Sequence, residues 1–128
     1  MSAPFIFVST SKIKNGMLEE YRKYMVESVK VVHADEPRMI AFSTYANEDG
    51  TKATTIQVHP DADSMMFHMQ IMRERMKVGF EHLEIESMTF YGKLSDQVLG
   101  MAKQIAGSGV AVNINEEVLD GFFRSTTD

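Results

Sequence analysis

The chain has 128 residues, 18 acidic against 13 basic, for a formal net charge of −5, and at this length one domain spanning 1–128 is expected. Hydrophobic residues make up 44% and charged residues 24%, which is enough apolar surface for a core and excludes a disordered chain. The acidic balance, with no basic run beyond Arg73, Arg75 and Lys77, argues against nucleic acid, and the absence of cysteine removes disulfides, thiolate metal sites and cysteine nucleophiles.

Residues 1–8 carry no basic stretch ahead of their apolar side chains, and no apolar run approaches the ~18 residues of a membrane span, so neither secretion nor a membrane partner is expected and the cytoplasm is the default. Phe5 to Lys12 is β-branched and aromatic without helical period, which predicts a first strand ending at Asn15-Gly16. From Met17 to about Ala34 the period turns helical. Leu18, Tyr21, Met25, Val29 and Val32 form one stripe, Met17, Tyr24 and Val31 a second row, and Asn15 is the cap candidate. Pro37 ends this helix. Arg38 to Ala46 and Lys52 to His59 read as an antiparallel pair around the turn Asn47-Glu48-Asp49-Gly50.

Pro60 breaks the second of these strands, Asp61 or Asp63 can cap, and Ala62 to Lys77 is a second helix whose Met65, Met69, Met72 and Met76 repeat at helical spacing. Ile85 to Lys93 completes a β-α-β-β-α-β order over residues 5–93. That order predicts an α+β, ferredoxin-like subunit: an antiparallel sheet with both helices on one face. The period of two places Ile6, Val8, Ile40, Phe42, Ile56, Val58, Met88 and Phe90 under the helices. It leaves Phe5, Phe7, Ser9, Met39, Ala41, Ser43, Tyr45, Thr55, Gln57, His59, Thr89 and Tyr91 on the open face. A homodimer is expected to cover that mixed face. Residues 94–128 form an extension: a helix capped by Ser95 with Val98, Leu99, Ala102 and Ile105 inward, a break at Gly107-Ser108-Gly109, and an edge strand from Val110 to Ile114. The extension is expected to pack on the first helix or on a partner subunit, where Val118, Leu119, Phe122 and Phe123 would be buried.

The Lys14-Asn15-Gly16 turn, Glu36-Pro37, the Glu48-Asp49-Gly50 hairpin and a helix carrying Ala62, Asp63, Ser64 and His68 resemble the antibiotic biosynthesis monooxygenase superfamily of dimeric α+β barrels. The resemblance covers residues 5–93. Tyr91-Gly92, Ser95 and Gly121-Phe122-Phe123-Arg124 are similar to a C-terminal extension in some of its members. It implies a cofactor-independent monooxygenase acting on small aromatic or quinol-type substrates, with His68 and Tyr21 as the candidate catalytic pair. A carrier or sensor of a small apolar or aromatic ligand, without turnover, is the alternative on the same fold. A haem-degrading variant fits less well, because the chain has no Trp and its first strand carries Ser9 where an Asn partner is expected.

The methionine stripe has two readings: a core, or the wall of an apolar ligand cavity of order 300 Å³ or more lined by His68 or Tyr21. The expected pocket residues are Met65, Met69, Met72, Leu18, Met25 and Phe42. His33 and His82 read as surface or capping groups, and His59 as part of the dimer face. The histidines at 33, 59, 68 and 82 show no ligand spacing, so no metal is expected, and no glycine-rich phosphate loop or nucleophile elbow is present, so no bound cofactor is expected.

Overall fold

A computed structural model describes residues 3–124. The elements are β1 (Phe5–Ile13), α1 (Leu18–Asp35), β2 (Ala41–Ala46), β3 (Lys52–His59), α2 (Ala62–Gly79), β4 (Leu83–Tyr91), α3 (Asp96–Ala106) and β5 (Ala111–Asn115). Strand order in the sheet is β2-β3-β1-β4-β5. The first four strands pair antiparallel and β5 adds parallel to β4. This is the ferredoxin-like order extended by one helix and one edge strand.

Local signals account for the boundaries. Asp61 caps α2, its Oδ1 accepting from the Ser64 backbone N–H at 3.0 Å, and Ser95 caps α3 in the same way toward Val98 at 3.2 Å. Helix α1 starts without the expected Asn15 cap: Met17 occupies that position and offers no side-chain acceptor. Gly50, at φ +71°, closes the β2–β3 turn in the left-handed region that glycine alone enters freely. Gly79 ends α2 for a different reason, since a Cβ there would lie 2.9 Å from the Tyr24 hydroxyl.

The sheet faces are exchanged on two strands relative to the sequence expectation. Phe5, Phe7, Ser11 and Ile13 of β1 and Ala53, Gln57 and His59 of β3 are buried, and Ser9 and Thr55 lie with them against the helices. The register carries this across the sheet, with Phe7 opposite both Gln57 and Phe90, and Gln57 opposite Phe42. Ile6, Val8, Ile56 and Val58 therefore lie on the open face, half-buried. Phe42, Met88 and Phe90 do lie inward, as the alternation predicts. A register shift between Thr10 and Ser11 inserts Glu86 as an extra residue of β4, which keeps both Met88 and Ile85 on the helix side.

Two apolar clusters form beneath the helices. Phe5, Phe7, Met65, Met69, Met88, Phe90, Val98 and Ala102 make the larger, and Ile13, Tyr21, Met25 and Ala53 the smaller. The extension packs on α2 and β4, not on α1: Val98 and Ala102 belong to the larger cluster, and β5 pairs with β4. The second row of α1 is covered from within the core unit instead, Tyr24 by Gly79, Arg75 and His82. Val118, Leu119, Phe122 and Phe123, expected to be buried, are exposed. Among the described residues, no helix is long and apolar enough to cross a membrane.

Candidate functional site

Helices α1 and α2 and the inner sheet face enclose a cavity of about 130 Å³. Met65, Met69, Met72 and Met76 of α2 form one wall, Met25 and Tyr21 of α1 another, and Phe7, Phe42 and Met88 the floor. Leu18 stands apart, in the outer groove between α1 and β2. The cavity is smaller than the ~300 Å³ expected from ligand-pocket statistics. The long methionine side chains, three of them nearly fully buried, fill much of the space between helix and sheet. An apolar cavity of roughly 150 Å³ accepts benzene, so the space here matches about one aromatic ring.

His68 projects from α2 into this cavity's wall, 4% exposed, with its ring 5.3 Å from that of Phe42. Its Nδ1 lies 2.9 Å from both carboxylate oxygens of Glu36, which is itself 4% exposed at the C-terminal cap of α1. A carboxylate only accepts hydrogen bonds, so the ring proton facing it sits on Nδ1. Nε2 has no hydrogen-bond partner among the described residues. A carboxylate-oriented imidazole with a free second nitrogen is the arrangement of a general base. Sequence reasoning used Glu36 only as part of the Glu36-Pro37 resemblance and missed its pairing, because a 32-residue separation from His68 leaves no local signal.

Tyr21 is also at the wall, 5% exposed, its hydroxyl 3.0 Å from Thr44 Oγ1, which in turn accepts from Thr55. His68 and Tyr21 both line the cavity. Its polar wall is richer than expected, with Ser9, Ser11, Ser28, Thr55 and Gln57 also facing inward.

His59 is fully buried beneath α2 instead of lying on the open face. Its Nε2 is 2.9 Å from Gln57 Oε1 and its Nδ1 is 2.8 Å from Ser64 Oγ, and its ring lies 6.1 Å from that of His68. Burial, reinforced by the neighbouring His68, pushes its pKa down to about 4, so it is neutral at physiological pH. His33 is exposed at the end of α1, as expected. His82 is not: it is buried against the Tyr24 ring, and its Nδ1 has no partner among the described residues. Burial raises the pKa of Tyr24, whose ring also lies beneath the Arg75 guanidinium. Among the described residues, no three His, Asp or Glu side chains gather as a metal would require.

No protein-family model matches the sequence, and no curated protein does. Solved structures do. MupZ from Pseudomonas fluorescens superposes with a TM-score of 0.75 over 96% of both chains at 18% identity. A putative antibiotic biosynthesis monooxygenase from Bacteroides thetaiotaomicron gives 0.58 over 65% of this chain and 83% of its own, also at 18%. The chain has the fold of an antibiotic biosynthesis monooxygenase-like domain. SnoaB from Streptomyces nogalater, a cofactor-independent oxygenase, aligns at 0.62 over 73% of this chain and 96% of its own, at 12% identity. Coverage of 96% carries the likeness to MupZ through α3 and β5.

Proposed function

We propose that the domain is a cofactor-independent monooxygenase of small, single-ring aromatic substrates of the quinol type. The observation that carries this reading is the His68–Glu36 pair, buried at the wall of an apolar cavity with Nε2 left free. A quinol held against Phe42 and the methionines loses its hydroxyl proton to His68 Nε2, and Glu36 stabilises the imidazolium that forms. The resulting anion is electron-rich enough to reduce dioxygen directly by one electron. Collapse of the radical pair forms a carbon–oxygen bond and a peroxide, which takes its proton from His68. Loss of water then leaves a hydroxyquinone. One oxygen atom enters the ring, the other leaves as water, and the substrate supplies every electron. The apolar walls keep bulk water away from the anion.

The second reading, a carrier or sensor, draws on the methionine walls, whose flexible thioethers adapt to ligands of differing shape without any turnover. Oxygen uptake with a panel of single-ring and fused-ring quinols separates the two. Monooxygenation predicts consumption with single rings that falls about 100-fold or more in His68→Ala. No uptake with any quinol, or uptake indifferent to His68→Ala, refutes it in favour of the carrier.

The open sheet face supports a homodimer. Ile6, Val8, Ile56 and Val58 form an aliphatic centre ringed by Thr10, Ser43, Tyr45, Thr54, Thr89 and Tyr91, the composition of a surface that excludes water on association. A chain without cysteine suits the reducing cytoplasm, which we take as its place of action.

A further inference from the structure

Gln57 has its orientation fixed from behind. Its side chain lines the cavity, while its Oε1 lies 2.9 Å from His59 Nε2. An amide oxygen only accepts, so His59 must carry its proton on Nε2. A neutral ring has one N–H, which leaves Nδ1 as an acceptor, and Ser64 Oγ, 2.8 Å away, must donate to it. The chain Ser64 to His59 to Gln57 therefore has a single direction. It uses the amide oxygen and leaves both amide N–H donors without a partner among the described residues. The His59 ring is only 6.1 Å from that of His68, and Gln57 is the register partner of Phe42, which packs on His68. The donors of Gln57 and the acceptor nitrogen of His68 thus belong to one end of one cavity. The other polar wall groups are either rotating hydroxyls, Ser9, Ser11 and Tyr24, or already paired, Ser28, Thr55 and Tyr21.

We propose that Gln57 is the oxygen-recognition residue of this cavity, that Ser64 and His59 are positioning residues holding its N–H pair toward the ligand, and that the ligand is a single ring bearing a hydroxyl or carbonyl oxygen. A phenol would give its proton to His68 Nε2 while its oxygen accepts from Gln57, and the anion formed by deprotonation would keep that contact and strengthen it. The inference rests on the cavity being the substrate site. It does not require that turnover follow.

The probes are 4-methylphenol and its oxygen-free isostere 1,4-dimethylbenzene, titrated against the methyl NMR signals of the methionines that line the cavity. The wild-type chain should bind the phenol about three- to tenfold more tightly than the hydrocarbon, the discrimination expected of a hydrogen bond between neutral groups. Gln57→Leu should remove the share of this preference owed to the bond the phenol accepts, and His68→Ala should keep that share while losing the bond the phenol donates. Ser64→Ala should weaken the preference and Ser64→Thr should restore it, a rescue that a merely structural serine does not predict. The Ser64 pair also keeps the test decisive if Gln57→Leu fails to fold. A wild-type chain that binds both probes equally, or a Gln57→Leu chain that keeps the whole preference, overturns the proposal. If neither probe moves the methionine methyls, the cavity is not the site and the proposal falls with it. A preference that follows Gln57 in a protein that consumes no oxygen supports the proposal and refutes the monooxygenase reading alone.

Discussion

Acidification should destabilise this fold through His59, and the size of the effect follows from its surroundings. The imidazole is buried between β3 and α2, and its pKa is pushed down from the ordinary 6.5 to about 4. Below pH 6.5 the unfolded chain takes up a proton that the native chain refuses, so stability is full above that pH and is lost as the pH falls toward 4. Two and a half units at about 1.4 kcal/mol each give a loss of about 3 kcal/mol, a large part of the stability of a domain this size. Urea denaturation at intervals from pH 7.5 to 4.5 reads it out, with His59→Gln as the reference. Glutamine can accept from Ser64 and donate to Gln57 but does not titrate. It should cost about 1–2 kcal/mol near neutrality, and the gap should close and reverse in sign as the pH falls. A gap that stays constant across the range would refute the argument, because it would mean that His59 titrates alike in the folded and unfolded chains.

Two further outcomes test the packing. Gly79→Ala improves helix propensity by about 1 kcal/mol, yet its Cβ would meet the Tyr24 hydroxyl at 2.9 Å and the ring carbon behind it at 3.0 Å. Overpacking of about 1–3 kcal/mol should win, lowering the melting temperature by a few degrees; a higher melting temperature would show that Tyr24 moves aside freely. Sedimentation velocity at micromolar concentration should give the mass of two copies and, for Val8→Glu on the open face, of one. A stable wild-type monomer would leave the aliphatic face without the partner proposed for it.

The order of elements was legible because each has its own period or stop signal: the methionine spacing of α2, Pro37 after α1, the Asn47-to-Gly50 turn, Ser95 before α3. The methionine stripe was legible too, as both of its readings at once, since Met65, Met69 and Met72 are core residues that also wall a cavity. The His68–Glu36 pair was half legible. His68 lies near the edge of the α2 stripe, but nothing local marks Glu36, and only the approach of the end of α1 to α2 makes it a partner. His82 was misread for a similar reason: a histidine in a connector looks solvated until the Tyr24 ring is packed against it.

The exchanged faces of β1 and β3 carry the most information. Both alternating sets of β1 begin with large apolar residues, Phe5 and Phe7 on one side and Ile6 and Val8 on the other, so the period of two fixes the alternation and leaves its polarity open. Along β3 the choice is between Ile56 and Val58 and the polar series Thr55, Gln57 and His59, and burial energy alone favours the aliphatics by about 1.5–3 kcal/mol per side chain. The chain does the opposite. It sets hydroxyls, an amide and an imidazole beneath the helices, where each costs free energy unless it finds a hydrogen-bond partner. It leaves the aliphatics on a face that water would otherwise wet. His59, Thr55 and the Gln57 oxygen find hydrogen-bond partners within the subunit, whereas the Gln57 N–H donors find none, and the outer aliphatics no cover, among the described residues. The ligand oxygen proposed above would take the Gln57 donors, and the proposed second copy would cover the aliphatic exterior. The strand that breaks the ordinary rule of burial therefore points to both of the partners proposed here.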